Sequence, residues 1–334
     1  MDTKNVVSVN EPKRLKARIF AAFALALALA VSAYLMINAS KANNIAFGSF
    51  WFLAVLPAYL CALICYVGDP ERDRPIAFYW LVPPALCGIV VLGSIVVLRE
   101  GVICLIMLSP IWLVSGWAGA FLLRWRRKRP VDPGVFHSSL LLFPLMMGGV
   151  EAQMPMPHDG VTVTRQTVVD ATPAEIWPYA VANAHIDERE GRWTFSQNII
   201  GVPRPRATVM HGQGEGAVRT ALWGDHVNFD EHITRWQPGH ILGWTFAFTN
   251  TSLLDYTDKH ISPDGQFLKV DAGDYTIQRL STKQTLLILH THYVAMTHVN
   301  LYAEIWGQLF LGDVENNILA IIKHRAEAAH RGSV

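Results

Sequence analysis

A strand-like alternation at His226–Trp236 puts Val227, Phe229, Glu231 and Ile233 on one face. One carboxylate interrupts an otherwise apolar row. Such a group is costly to bury unless it is paired. Arg219, on the preceding strand-like segment, is the partner at hand. The pair reads either as a structural ion pair that fixes hairpin register, or as an anchor or acid–base group for a bound molecule. His290 and His292 stand two apart and share a face with Leu286 and Ile288. Two imidazoles so placed can address one ligand, or can be ordinary solvated histidines. No third ligand is near in sequence, so no metal and no cofactor is assigned. Asp274 and Tyr275 take opposite faces, and only one can point inward. Tyr302 and Trp306 open an apolar stripe at three- and four-residue steps that runs to Ile322. Arg219, Phe229, Glu231, His290, His292, Tyr302 and Trp306 are therefore the residues expected to line a ligand cavity. No catalytic set is assigned.

The elements that must position them follow from pattern and turn signals. Val161–Val169 is β-branched and reads as a first strand. Thr172-Pro173-Ala174-Glu175 has the form of a capping box with proline at the first helical position. The helix it opens is expected to continue irregularly to about Glu190. Six strands then follow: Ala207–His211, Ala217–Trp223, His226–Trp236, Ile241–Phe248, Phe267–Leu280 and Gln284–Ala295. Short turns separate them, as in consecutive antiparallel hairpins. Gly212, Gly214 and Gly216 join two strands and are followed by no Walker lysine, so they are hairpin glycines and not a phosphate loop. Asn300 to about His330 is a last long helix. A curved antiparallel sheet must bury one face, and this helix is the element long enough to cover it.

The first half is of another kind. The whole chain has 334 residues, is 51% hydrophobic and only 16% charged, with a formal net charge of +1. The near-neutral balance argues against nucleic-acid binding. The apolar excess lies in four uncharged runs, Ile19–Asn38, Ala42–Val67, Ile76–Leu98 and Gly101–Leu123. Each is long enough to cross a bilayer as a helix, which takes about 20 residues. The four cysteines, Cys61, Cys65, Cys87 and Cys104, all fall inside these runs and read as small apolar residues. Basic residues cluster at Lys13–Arg18, at Arg72 and Arg74, and at Arg124–Arg129, which places those segments on the cytoplasmic side. They can also attract anionic lipid headgroups. A shorter uncharged stretch, Val135–Val150, reads either as an interfacial helix or as a fifth span. The first reading keeps the N-terminus and the C-terminal domain cytoplasmic; the second puts that domain outside. The expected organisation is a leader at 1–18, a four-span region at 19–123, a basic juxtamembrane segment and linker at 124–160, and an α+β domain at 161–330.

Several runs in the second half carry a resemblance: GQGEGAVR (Gly212–Arg219), FDEHITRWQPG (Phe229–Gly239), DYTIQRL, TLLILHTHY and NLYAEIWGQLF with ILAIIKHRAE. Together they resemble the START-like helix-grip superfamily, also called SRPBCC, in its polyketide cyclase/dehydrase-like branch. The resemblance covers about Val161 to Glu327. It implies a curved antiparallel sheet wrapped on the C-terminal helix, with a deep apolar cavity beneath. It implies no single catalytic set. The expected function is membrane-anchored binding or transfer of a lipid or other hydrophobic small molecule. The alternative is a cyclase, dehydratase or hydrolase acting on a hydrophobic substrate in the same cavity.

Overall fold

The computed structural model describes residues 17, 20–24, 26–28, 31, 49–98, 102–126, 143–151, 153–187, 189–249, 252 and 262–333. The chain divides into two compact units, Met1–Met156 and Pro157–Val334.

In the first unit, a π-helical turn at Trp51–Val55 leads into α1 (Leu56–Gly68). Then come α2 (Ile76–Gly93), α3 (Val102–Arg126) and the short α4 (Phe143–Glu151). Among the described residues, three helices are long and apolar enough to cross a membrane: Trp51–Gly68, Ile76–Val96 and Ile103–Arg126. Four were expected, and the run at 19–38 lies largely outside the described residues. The three helices expose large apolar side chains such as Leu81, Leu92, Val96 and Val114. Between helices the packing is close. A side chain at Gly119 would run into the backbone of Ala58, so glycine there lets α1 and α3 touch. Cys61 and Cys65 are buried in the same packing, as their sequence setting implies.

The two ends of α1 are built differently. At its C-terminal end Asp69 is buried, accepts the Tyr79 hydroxyl at 2.6 Å and receives the Asp73 and Arg74 amides. The Arg124 guanidinium lies 4.7 Å from the Tyr79 ring centroid and donates to the Arg74 carbonyl. The arginines of the 69–75 loop and of the α3 terminus therefore meet at one end. At the other end Glu151, the last residue of α4, accepts the Phe50 and Trp51 amides at 2.6 and 2.7 Å. A carboxylate there satisfies amides that the helix leaves open and complements its dipole.

The second unit is a seven-stranded sheet in the order β1-β7-β6-β5-β4-β3-β2, with every pairing antiparallel. The strands are β1 (Asp159–Val169), β2 (Pro205–His211), β3 (Val218–Trp223), β4 (Val227–Gln237), β5 (Ile241–Ala247), β6 (Leu268–Arg279) and β7 (Thr285–Ala295). All seven expected strands form. β2 to β7 are consecutive hairpins, and β1 adds at the far edge beside β7. The turn glycines Gly212, Gly214 and Gly216 all take positive φ, which is why those positions are glycine. The helix opened by Thr172, α5 (Pro173–Val181), is shorter than expected. Ala182 is extended and Asn183 bridges to Thr208 on β2, so pairing with the sheet ends the helix. A short turn of helix, α6 (Phe195–Asn198), follows. The last helix, α7 (Asn300–Ser333), has 34 residues and crosses one face of the sheet. Its Leu319, Ile322 and Ala326 pack with Tyr275, Ile277, Leu287 and Leu289.

Candidate functional site

The face of the sheet that meets α7 is set strand by strand. On β4, Val227, Phe229, Glu231 and Ile233 are all buried, so the expected face is the inner one. Arg219 lies opposite Glu231 in the β3–β4 register. Its Nε donates to Glu231 Oε2 at 2.5 Å, and its Nη1 donates to the Ala180 carbonyl at 2.7 Å. The guanidinium sits 4.4 Å from the Trp244 ring centroid and 5.8 Å from that of Tyr275. Ala180 belongs to the last turn of α5, whose carbonyls lack helical partners. Arg219 thus joins two strands, a helix end and an aromatic wall, and both charged groups are buried. Phe229 stands further along the same face, packed with Trp223, Phe246 and Phe248.

On β6 the question left by Asp274 and Tyr275 is resolved. Tyr275 points inward, against Trp244 and Arg219. Asp274 points to the other face, where Arg235 approaches it at 3.2 Å and His292 at 3.6 Å. Gly273 stands opposite Trp244, and a side chain there would come within 2.6 Å of the indole. Glycine at that position makes room for Trp244.

On β7 the expectation is overturned. Thr285, Leu287, Leu289, Thr291, Tyr293 and Ala295 form the buried face. His290 and His292 project from the opposite face. Their Nδ1 atoms meet the hydroxyls of Thr164 and Thr162 on β1 at 2.9 Å, at partly exposed positions. They do not line the interior under α7. Among the described residues no group of three His, Cys, Asp or Glu is placed to hold a metal ion.

α7 contributes Tyr302 and Trp306, which continue to Phe310 as a ladder of rings with centroids 6.3 and 5.5 Å apart. Both expected residues are only partly buried. The helix also contributes a residue that the sequence reading missed. Glu315 is 1% exposed, and neither carboxylate oxygen has a hydrogen-bond partner. Burial pushes its pKa up to about 7. Thr291 and the charge of Arg165 pull the other way, but Thr291 makes no bond of ordinary distance and angle. Tyr275 feels this carboxylate from β6, and burial pushes the phenol's own pKa well up. Further buried polar atoms stand unpaired in the domain, among them Tyr293 Oη, Trp244 Nε1, Trp306 Nε1 and Asn317 Nδ2. Tyr293 abuts α7 at Gly307, where any side chain would collide with its hydroxyl.

A seven-stranded antiparallel sheet, hairpin after hairpin, is thus closed over a long terminal helix, with β1 beside β7. This architecture fits the helix-grip fold. No protein-family model and no curated protein matches the sequence. Solved structures similar to the helix-grip half include three at low identity. A norcoclaurine synthase from Thalictrum flavum, crystallised with dopamine and hydroxybenzaldehyde, is 10% identical over 53% of this chain and 90% of its own, with a TM-score of 0.34. The Zhui aromatase/cyclase from a Streptomyces is 12% identical over 53% and 97%, with a TM-score of 0.33. A Staphylococcus aureus protein of unknown function is 9% identical over 52% and 98%, with a TM-score of 0.34. The fold assignment rests on this chain's own strand order and terminal helix. The polar atoms inside its grip are what bear on function.

Proposed function

We propose that the helix-grip domain binds a small, largely apolar molecule between the inner face of its sheet and α7. The unpaired polar atoms of Glu315, Tyr293 and Trp244 carry this reading. Buried polar groups in folded proteins nearly always have partners. Here several lack one on the inner face of the sheet and on α7, in a fold that closes a helix over a sheet. A ligand with an apolar body and a polar group supplies what is missing. The test is mass spectrometry of organic extracts from the full-length protein purified in mild detergent. One compound in near-stoichiometric amount is expected. A protein that carries nothing and takes up no apolar fluorescent probe refutes the reading. A second reading, acid–base chemistry of the cyclase or dehydratase kind, is favoured by Glu315 alone. A carboxyl group that titrates near neutral pH can both take and give a proton there.

We also propose that the apolar helices anchor the chain in a membrane, and that Val135–Val150 supplies a further crossing. The two ends of α1 support this. The arginine-rich end, with Arg74 and Arg124, is the cytoplasmic one by the positive-inside rule. Glu151 is bound at the opposite end, at the start of the 18-residue stretch Trp51–Gly68 that joins the π-helical turn to α1. At 1.5 Å per residue that is about 27 Å, close to the thickness of a hydrocarbon core. Arg126 and Glu151 then lie on opposite sides, and the segment that follows emerges outside. This reading takes the second of the two placements that the sequence left open, the fifth span with the domain outside. The domain has no cysteine of its own. Thr282→Cys in the turn between β6 and β7, in a chain whose four native cysteines are alanine, tests it. Membrane-impermeant maleimide is expected to label this variant in sealed right-side-out vesicles. Labelling only in inside-out vesicles returns the domain to the cytoplasm.

A further inference from the structure

We infer that Glu315 is the receptor for a cationic group, so that the molecule bound in the grip is an amine with an apolar, ring-bearing body. This rests on the binding reading above and names the chemistry of its ligand.

The argument starts from charge. Arg219 and Glu231 are bonded to each other and cancel. Arg165 approaches from β1, but its guanidinium is held by the Gln308 and Thr164 carbonyls on the edge beside α7. Tyr275 faces Glu315 from β6, and Tyr293 shares the buried face of β7 with Thr291. Both phenols stay neutral, since burial pushes Tyr293 up to about 12 and Tyr275 well up. Among these groups Glu315 is the one negative charge without a bonded partner. An isolated buried carboxylate is costly, and the cost is relieved by a cation that brings N–H donors to both oxygens. A neutral hydroxyl would supply one donor and add no charge to that of Arg165, which acts on Glu315 without bonding it.

The surroundings suit a cation as well. Trp244 and Tyr275, with ring centroids 5.1 Å apart, offer aromatic surface on the inner face of the sheet. Arg219 over Trp244 already shows that this interior holds a positive group against a ring. Trp244 Nε1 and Tyr293 Oη remain open to further polar atoms on the ligand. Glu315 sits four residues after Leu311 and four before Leu319, on the face of α7 that meets the sheet. It is therefore at the floor of the interior and not at its rim.

The experiment compares two probes of equal shape on the full-length protein in detergent: 2-naphthylmethylamine, cationic at neutral pH, and 2-ethylnaphthalene, neutral. The amine is expected to bind about 10- to 100-fold more tightly, the range a charge-assisted bond supplies. Its affinity should rise with pH up to about 7 and level off above, because the cation selects the carboxylate form. Glu315→Gln should lose this preference and its pH dependence while still binding the neutral probe. Equal binding of both probes by the native protein overturns the amine assignment and leaves the apolar site standing. An amine preference that survives Glu315→Gln overturns it too. Failure of both probes to bind refutes the underlying site instead.

Discussion

Replacing Arg219 by methionine is expected to lower the unfolding free energy by about 3–5 kcal/mol, the usual cost of stripping one partner from a buried ion pair. The substitution strands Glu231, which is as buried as its partner, and frees the carbonyls at the end of α5. It also removes the cation that lies over Trp244. Arg219→Met combined with Glu231→Leu should recover most of the loss, since an apolar pair of similar volume avoids burying charge. Chemical unfolding of the full-length protein in detergent, followed by tryptophan fluorescence, reads both. This outcome makes Arg219 and Glu231 the fastening of β3, β4 and α5. If Arg219→Met unfolds like the native protein but loses its ligand, the pair belongs to the binding site instead.

The second large effect concerns Glu315 and has a definite sign. Its pKa rises from 4.5 to about 7 on folding, so the folded state holds the proton more tightly than the unfolded one. Stability then falls as pH rises from about 4.5 through 7 and is level above. The rise corresponds to about 3 kcal/mol lost at alkaline pH. Glu315→Met abolishes that term. The variant's advantage over the native protein should therefore grow by about 3 kcal/mol between pH 4.5 and 8. Unfolding curves at three pH values measure it, and other titrating groups cancel in the comparison. A pH-independent difference contradicts the account. A residue that weakens its own fold at working pH is the pattern of a site kept for binding or chemistry.

How much of this was legible beforehand depends on the residue. The strands were legible because glycines and prolines punctuate them, and Gly212, Gly214 and Gly216 do take the backbone conformation that only glycine enters easily. Glu231 was legible because its strand alternates cleanly. His290 and His292 were misplaced because β7 is apolar on both faces from Leu286 to Leu289, so alternation does not say which face is inner. Glu315 was missed because the stripe of α7 was drawn from apolar residues alone. Its spacing of four from Leu311 and four from Leu319 was the available signal. The length of α5 was overestimated because a pairing between Asn183 and Thr208 is not visible in local pattern.

The pairing of β1 with β7 has a consequence for how the domain is made. Partners run from Asp159 opposite Ala295 to Val169 opposite Thr285, more than a hundred residues apart along the chain. Asn300, where α7 begins, then hydrogen-bonds Asp159 at 2.8 Å. The first strand to leave the ribosome after the apolar helices has no partner until the last strand arrives. Contacts of such long range slow folding, and they leave a bare strand edge open to wrong pairings meanwhile. Nascent chains of this protein would spend their synthesis with an incomplete sheet, its first strand paired only when β7 emerges and then covered by the final helix.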